Sequence, residues 1–300
     1  MNKVFISWTD REPEFQNYLS GVNILLSPSL VAKNWNVTTW STMPESIMVD
    51  SGTFTQSKKK GVLDVQSCIK AQLRILEGWP DEKLSFFIHY DYPLNINLPF
   101  DKYQEKVELN LKSAKEYIGD FPHAENRIPV AVIHALDAET LTESWLALKE
   151  MGYKRFALGS LVTLLFRSRD RLQLLLRTSQ ELGIIDLHLL GISSSNLLKD
   201  RVGLWLGSFD TSSPTRQAIA GTIVYSDPFE SFILQPTQRN KIVKSDFGGR
   251  KTIQMPRPCA CPVCSRDSKS LLCSEEQRAR QLRKIHNAYH LIEEVKSWGV

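Results

Sequence analysis

The chain has no apolar run long enough to cross a bilayer, no internal repeat and no low-complexity tract. The first absence excludes a membrane-spanning helix, and the second excludes arrays built from copied units. Nothing between Met1 and Trp8 forms a long apolar segment before Asp10, so no secretory leader is expected and the protein is placed in the cytoplasm. Cysteine is scarce: there are five in 300 residues, and three of them fall together. That excludes a disulfide framework and points to metal chemistry in a reducing compartment. Cys68 and Cys273, outside the cluster, read as a core thiol and a loop thiol. Charge of one sign is also lacking, because a net +4 is compatible with a nucleic-acid partner without requiring one. The basic residues are unevenly spread. Arg239, Lys241, Lys244, Arg250, Lys251 and Arg257 stand against the single acid Asp246, while Lys58 to Lys60 read as a solvated loop.

What is present begins near the C-terminus. Cys259, Cys261 and Cys264 lie on a Pro-containing turn, and His286 follows on a helix expected to start near Ser274. Three thiols and an imidazole form a Cys3His set suited to tetrahedral zinc. Four protein ligands leave no open position, so the metal is expected to be structural. His290, one helical turn beyond His286, competes for the fourth place. A disulfide fits poorly, because cysteines this close in sequence are awkward to bridge.

Upstream, short apolar runs alternate with longer amphipathic ones. Strands are expected at 22–26, 46–49, 84–90, 129–135, 155–158, 186–190, 203–207 and 222–225. Helices are expected at 69–77, 104–118, 138–151, 168–182 and 194–199. Eight apolar, β-branched strands buried on both faces suit a parallel sheet, and their alternation with helices favours a (β/α)8 TIM barrel over an open sheet. Such a barrel needs about 250 residues. The reading is therefore an α/β barrel core over 1–234 and a zinc-binding unit with a C-terminal helix over 235–300.

Polar residues recur at the strand ends. Asp50 closes Ile47-Met48-Val49, Asp91 follows the run ending at Tyr90, and His134 closes Val130 to Ile133. Gly159 and Ser160 follow Phe156-Ala157-Leu158, and Asp210 follows the run from Trp205 to Phe209. In a (β/α)8 barrel these ends share one mouth, so the groups would converge despite their separation in sequence. Each aspartate alone could be an ordinary cap or turn residue. Together they suit chemistry at an acetal-like carbon, where one carboxylate attacks C1′ of a nucleoside and another moves a proton on the base. A third could accept hydrogen bonds from a guanine-like edge, with backbone N–H groups near Gly159 meeting its carbonyl.

These residues resemble the tRNA-guanine transglycosylase superfamily, zinc-bearing (β/α)8 barrels that exchange guanine in nucleic acid for a 7-deazaguanine base. The likeness runs from about Ser46 to Leu291. Asp50-Ser51-Gly52-Thr53-Phe54 resembles the family's Asp-Ser-Gly-Gly-Phe, which implies Asp50 as general acid/base. Phe209-Asp210 through Pro214-Thr215-Arg216 resembles Phe-Asp-x-x-x-Pro-Thr-Arg, which implies Asp210 as nucleophile. Asp91 falls where the family keeps a base-recognising aspartate, Gly159-Ser160-Leu161 resembles its Gly-Gly-Leu loop, and the Cys-x-Cys-x-x-Cys with later His-Asn favours His286 over His290.

The departures carry information of their own. Ile133-His134-Ala135-Leu136 stands where the tRNA enzymes carry Val-Gln-Gly-Gly, and a glycine is replaced at both Thr53 and Ser160. Side chains there remove the close backbone approach that glycine permits, which bears on the incoming base. Neither a bacterial β-hairpin preamble nor an archaeal RNA-binding domain is recognisable, and Gln217 follows Arg216 where glycine is expected. The chain is thus most similar to the branch that inserts 7-deazaguanines, preQ0-like bases, into DNA. The resemblance implies a pentosyltransferase with DNA and a free 7-deazaguanine as partners, and Asp91 and His134 gripping the base. The target nucleotide must be flipped or single-stranded. Arg216, Arg250 and Lys251 would hold phosphates. Relatives often form homodimers, and some work beside an ATPase. A tRNA enzyme of the queuosine or archaeosine type is the nearest alternative. A non-catalytic zinc-stabilised subunit that positions nucleic acid comes next, and retention of Asp50 and Asp210 argues against it. A hydrolase acting on free sugars is disfavoured by the zinc unit.

Overall fold

The computed structural model describes residues 3–53, 64–94, 99–161, 164, 168–192, 206–234, 250–252, 257–268, 271 and 277–298. Eight strands close a parallel barrel in the order β1 to β8. They are β1 (Lys3–Trp8), β2 (Asn23–Leu26), β3 (Ser46–Val49), β4 (Ser85–Ile88), β5 (Arg127–Ile133), β6 (Arg155–Leu158), β7 (Leu187–Leu189) and β8 (Leu206–Thr211). β1 closes the ring by pairing with both β2 and β8, placing Phe5 opposite Asn23 and Asp210.

The strands alternate strictly. Phe5, Leu25, Met48, Ile88, Val130, Val132 and Ala157 form one cluster inside the barrel. Their neighbours Val4, Ile6, Ile24, Leu26, Ile47, Val49, Phe87, Ala131 and Ile133 belong to the larger outer core. Both faces are therefore apolar, as parallel barrel strands require.

Among the described residues, four α-helices pack outside: α1 (Val65–Ile75), α2 (Phe100–Asp120), α3 (Ala138–Glu150) and α4 (Arg169–Glu181). Two start on aspartates. Asp64 accepts from the Ser67 N–H, and Asp137 forms a capping box with Thr140. The first two crossovers use only short 3-10 turns, Phe15–Asn17 and Val37–Thr39.

Two expectations need correction. Thr222–Tyr225 is not the eighth barrel strand. It is β9, antiparallel to β10 (Glu230–Leu234), which is parallel to β11 (Arg250–Thr252) in a separate sheet. The missing barrel strand is β1, whose Lys3 and Ser7 dilute its apolar run and whose pairing with β8 spans the whole barrel. The strand expected to end at 207 continues to Thr211 as β8, so Asp210 sits within β8 rather than after it. The expected helix 194–199, Lys58 to Lys60, Cys273 and the basic residues 239–246 fall outside the described residues.

After β8 come α5 (Ser213–Ile219), α6 (Cys264–Asp267) and α7 (Gln277–Ser297). Asn287 on α7 accepts from the Val224 N–H and donates to Thr222 O, stitching the helix to β9. Lys284 on α7 pairs with Glu12 at 2.7 Å, and both are about nine-tenths buried. The Trp298 ring stacks on Phe209, which faces outward from β8.

Candidate active site and metal centre

The inward parity of the strands continues into the mouth. Met48 leads to Asp50, Val132 to His134 and Ala157 to Gly159, each two residues on and thus on the same face. On β8, outward Phe209 leaves Ser208 and Asp210 facing in. Asp210 is buried at 7% exposure. The barrel thus brings Asp50, Asp91, His134, Gly159, Ser160 and Asp210 to one end.

Electrostatics confirm the proximity of the three acids. The Asp50 carboxyl is raised to about 7, first by burial and then by the charges of Asp91 and Asp210. Two carboxylates near a third cannot all ionise freely, so one keeps its proton. Asp91 behaves oppositely. Burial opposes its ionisation, but the hydrogen bond and charge of His134, the charge of His89 and the Ser51 hydroxyl outweigh it and hold the carboxyl below its usual range.

Asp91 anchors a connected network. Its Oδ2 lies 2.9 Å from His134 Nε2, and its Oδ1 accepts from Ser51 at 2.8 Å and Thr53 at 3.2 Å. His134 Nδ1 lies 3.0 Å from Ser160 Oγ, which accepts from the Leu94 N–H. Thr53 and Ser160, the two departures from glycine, therefore feed one Asp–His pair. Ser160 keeps a glycine-like backbone at φ +60°. Gly159 is required for space, because a Cβ there would stand 2.4 Å from His134 Cε1. Its N–H is already spent on Ile133 O, so it is not the donor expected for a base carbonyl.

Sequence reasoning missed two supports. Gln72 on α1 is fully buried, and its amide donates to Val49 O, Asp50 O and Ile88 O while accepting from Tyr117. It ties the ends of β3 and β4, which carry Asp50 and lead to Asp91. His188 on β7 faces Asp210 with Nε2 3.3 Å from Oδ1, and the Gly191 N–H donates to the same oxygen at 2.7 Å. A polar residue within an apolar strand at an inward position was the available signal for His188.

Of the phosphate candidates, Arg216 is exposed on α5, just beyond β8. Arg250 and Lys251 lie in β11, and their side chains fall outside the described residues. Arg257, from the same basic stretch, is engaged within the protein. It pairs with Glu230, donates to Asp227 O and covers the Tyr225 and Phe232 rings.

The four donors of Cys259, Cys261, Cys264 and His286 lie within 4.8 Å of one another. His286 Nδ1 is 3.8, 3.4 and 3.4 Å from the three sulfurs in that order. Tetrahedral zinc with ordinary bond lengths would set such S···N separations at about 3.5 Å. The other ring nitrogen, Nε2, is 2.8 Å from Val224 O, which fixes its proton there and leaves Nδ1 free to ligate. His290 is not the fourth ligand. Its Nδ1 accepts from the Ser226 N–H, so its Nε2–H is directed at Cys259 Sγ, 3.1 Å away, as an outer hydrogen bond. The donor set fits zinc, and the site is consistent with the family's structural zinc.

The structure thus combines a closed parallel barrel, three interacting carboxyl groups at its mouth and a Cys3His cluster that fits zinc. The sequence profile described as Queuine tRNA-ribosyltransferase matches residues 86–298, and the chain belongs to that family. The chain is also 26% identical over 257 residues to a Queuine tRNA-ribosyltransferase of Protochlamydia amoebophila (strain UWE25). That match covers 82% of this chain and 61% of the relative. Among the described residues no helix is long and apolar enough to cross a membrane.

Proposed function

We propose that the protein exchanges guanine for a free 7-deazaguanine base in a nucleic acid, through a glycosyl ester on Asp210. The supporting observation is that burial first, and then the neighbouring Asp91 and Asp210 carboxyl groups, raise the Asp50 carboxyl to about 7. An Asp210 carboxylate oxygen attacks C1′ as the C1′–N9 bond breaks, and Asp50 delivers its proton to the departing base. Asp50, now a carboxylate, takes the N9 proton of the incoming base as that nitrogen displaces the ester, so configuration at C1′ is retained. A carboxyl poised near neutrality serves both steps.

Asp91, ionised and held by His134, Ser51 and Thr53, accepts from the N–H groups of the purine edge. Because the Gly159 N–H is committed, the amides of Ser160 and Leu161 are the donors available to the base carbonyl. Zinc, held by Cys259, Cys261, Cys264 and His286, supplies structural cross-linking rather than chemistry. Arg216 contacts backbone phosphate.

DNA is the polymer in this reading, supported by the replacement of two glycines and of Val-Gln-Gly-Gly around the base pocket of the tRNA enzymes. The similarity to a queuine tRNA-ribosyltransferase of Protochlamydia amoebophila favours tRNA as the second reading. Incubation of purified protein with labelled guanine and either plasmid DNA or tRNA separates the two. Label in DNA supports the first reading, label confined to tRNA replaces it with the second, and label in neither removes base exchange.

A further inference from the structure

The inward face of β7 and β8 holds a second hydrogen-bonded chain, distinct from the one around Asp91. His188 is 2% exposed, and its Nδ1 lies 2.8 Å from Ser208 Oγ while its Nε2 faces Asp210. Register explains the reach. His188 pairs with Ser208 across the strands, and Asp210 is two residues further on the same face of β8. The ring also packs edge-on to Phe5 and lines an open pocket of about 100 Å3 at the N-terminal end of the barrel.

Packing alone does not account for an imidazole here. Barrel interiors are filled by branched apolar side chains, and a buried polar ring must find partners. Leucine or phenylalanine would fill the layer without that need. Both partners of His188 lie on β8, and one is the carboxylate assigned as nucleophile. Among the described residues the Asp210 contacts are also one-sided, since His188 Nε2 and the Gly191 N–H both engage Oδ1.

Resting on the assignment of Asp210 as nucleophile, we propose that His188 is a positioning residue that fixes which Asp210 oxygen reacts and assists its departure. Ser208 donates to Nδ1, which keeps the His188 proton on Nε2 and pointed at Oδ1. Oδ2 is then the atom that bonds to C1′, and Oδ1 becomes the ester carbonyl. When the incoming base displaces the ester, the C1′–Oδ2 electron pair returns to the carboxylate, and the two donors on Oδ1 stabilise the charge that reappears. Their effect is greatest in this second half-reaction.

The test uses single-turnover experiments on wild type, His188→Phe, His188→Gln and Ser208→Ala, with plasmid DNA or tRNA as selected by the exchange assay. Adduct formation is followed by denaturing gel, its attachment site by peptide mass spectrometry, and its decay after adding free base. His188→Phe should slow adduct decay by about 10- to 100-fold, the scale of losing one preorganised donor. Adduct formation should change by less than about threefold, so the adduct accumulates. His188→Gln, which restores an N–H near Nε2, should recover most of the decay rate, and Ser208→Ala should show a smaller loss. Equal slowing of both half-reactions by every variant, or none by any, overturns the role of His188. If His188→Phe does not fold, wild-type-like decay in Ser208→Ala and slow decay in His188→Gln overturn it as well. Absence of any wild-type adduct on Asp210 instead removes the nucleophile assignment, whatever the variants do.

Discussion

At the barrel mouth, three carboxyl groups arrive from positions 50, 91 and 210 on different strands; in the Cys/His unit, three thiols arrive within six residues. The outcomes differ as much as the routes. At the mouth the groups remain unequal, with Asp50 holding a proton to about pH 7 and Asp91 ionised by its His134 contact. In the cluster the thiols contend for a proton among themselves: contacts with Cys259 and Cys261 push Cys264 far up, while those with Cys259 and Cys264 pull Cys261 far down. One divalent cation held there would end that contest by keeping all three as thiolates. Unequal acids suit proton transfer, whereas equal thiolates suit a permanent cross-link.

The sharpest break in this comparison comes from Asp210→Asn. It should lower exchange by at least about 10³-fold and abolish the covalent adduct, with a melting temperature close to wild type. Cys261→Ala, or chelation, should do the reverse. Metal analysis should fall from one zinc per chain to none, and stability should drop by about 4 kcal/mol, measured by denaturant unfolding. A change confined to activity would contradict a structural metal.

Asp50→Asn tests the inequality of the acids. The unfolded carboxyl titrates near 3.8 and the folded one near 7, so native stability falls as pH rises through that window and is level above it. Asparagine removes the penalty. The variant should therefore match wild type near pH 3 and be more stable by about 4 kcal/mol at pH 8, while losing exchange. The smallest effect belongs to His290→Phe, which removes the outer hydrogen bond to Cys259. Zinc affinity, measured by competition with a chromophoric chelator, should weaken by about tenfold without loss of the fold.

Much of this was legible because each signal was local. The Cys-x-Cys-x-x-Cys spacing identified the thiols, and apolar runs ending in aspartate, histidine or Gly-Ser located the mouth residues. Thr222–Tyr225 misled because its four buried residues carry the same apolar signal as a barrel strand. Only its partners, β10 and α7, distinguish it. β1 escaped notice for the complementary reason, a strand with two polar residues whose burial depends on β2 and β8. Gln72 and His188 gave no motif, since their roles arise from acceptors on other strands.

The sequence alone determined the residue types, the apolar runs that make most of the barrel strands buried on both faces, and the turn that gathers three thiols. Those follow from short-range geometry, which a strand or a tight turn imposes wherever it folds. Tertiary structure decided which strand closes the barrel, which histidine ligates and which stands behind a thiolate, and that Asp50 rather than Asp91 keeps its proton. Each of these depends on groups brought together across many residues, where burial and neighbouring charge, absent from the extended chain, set the energies.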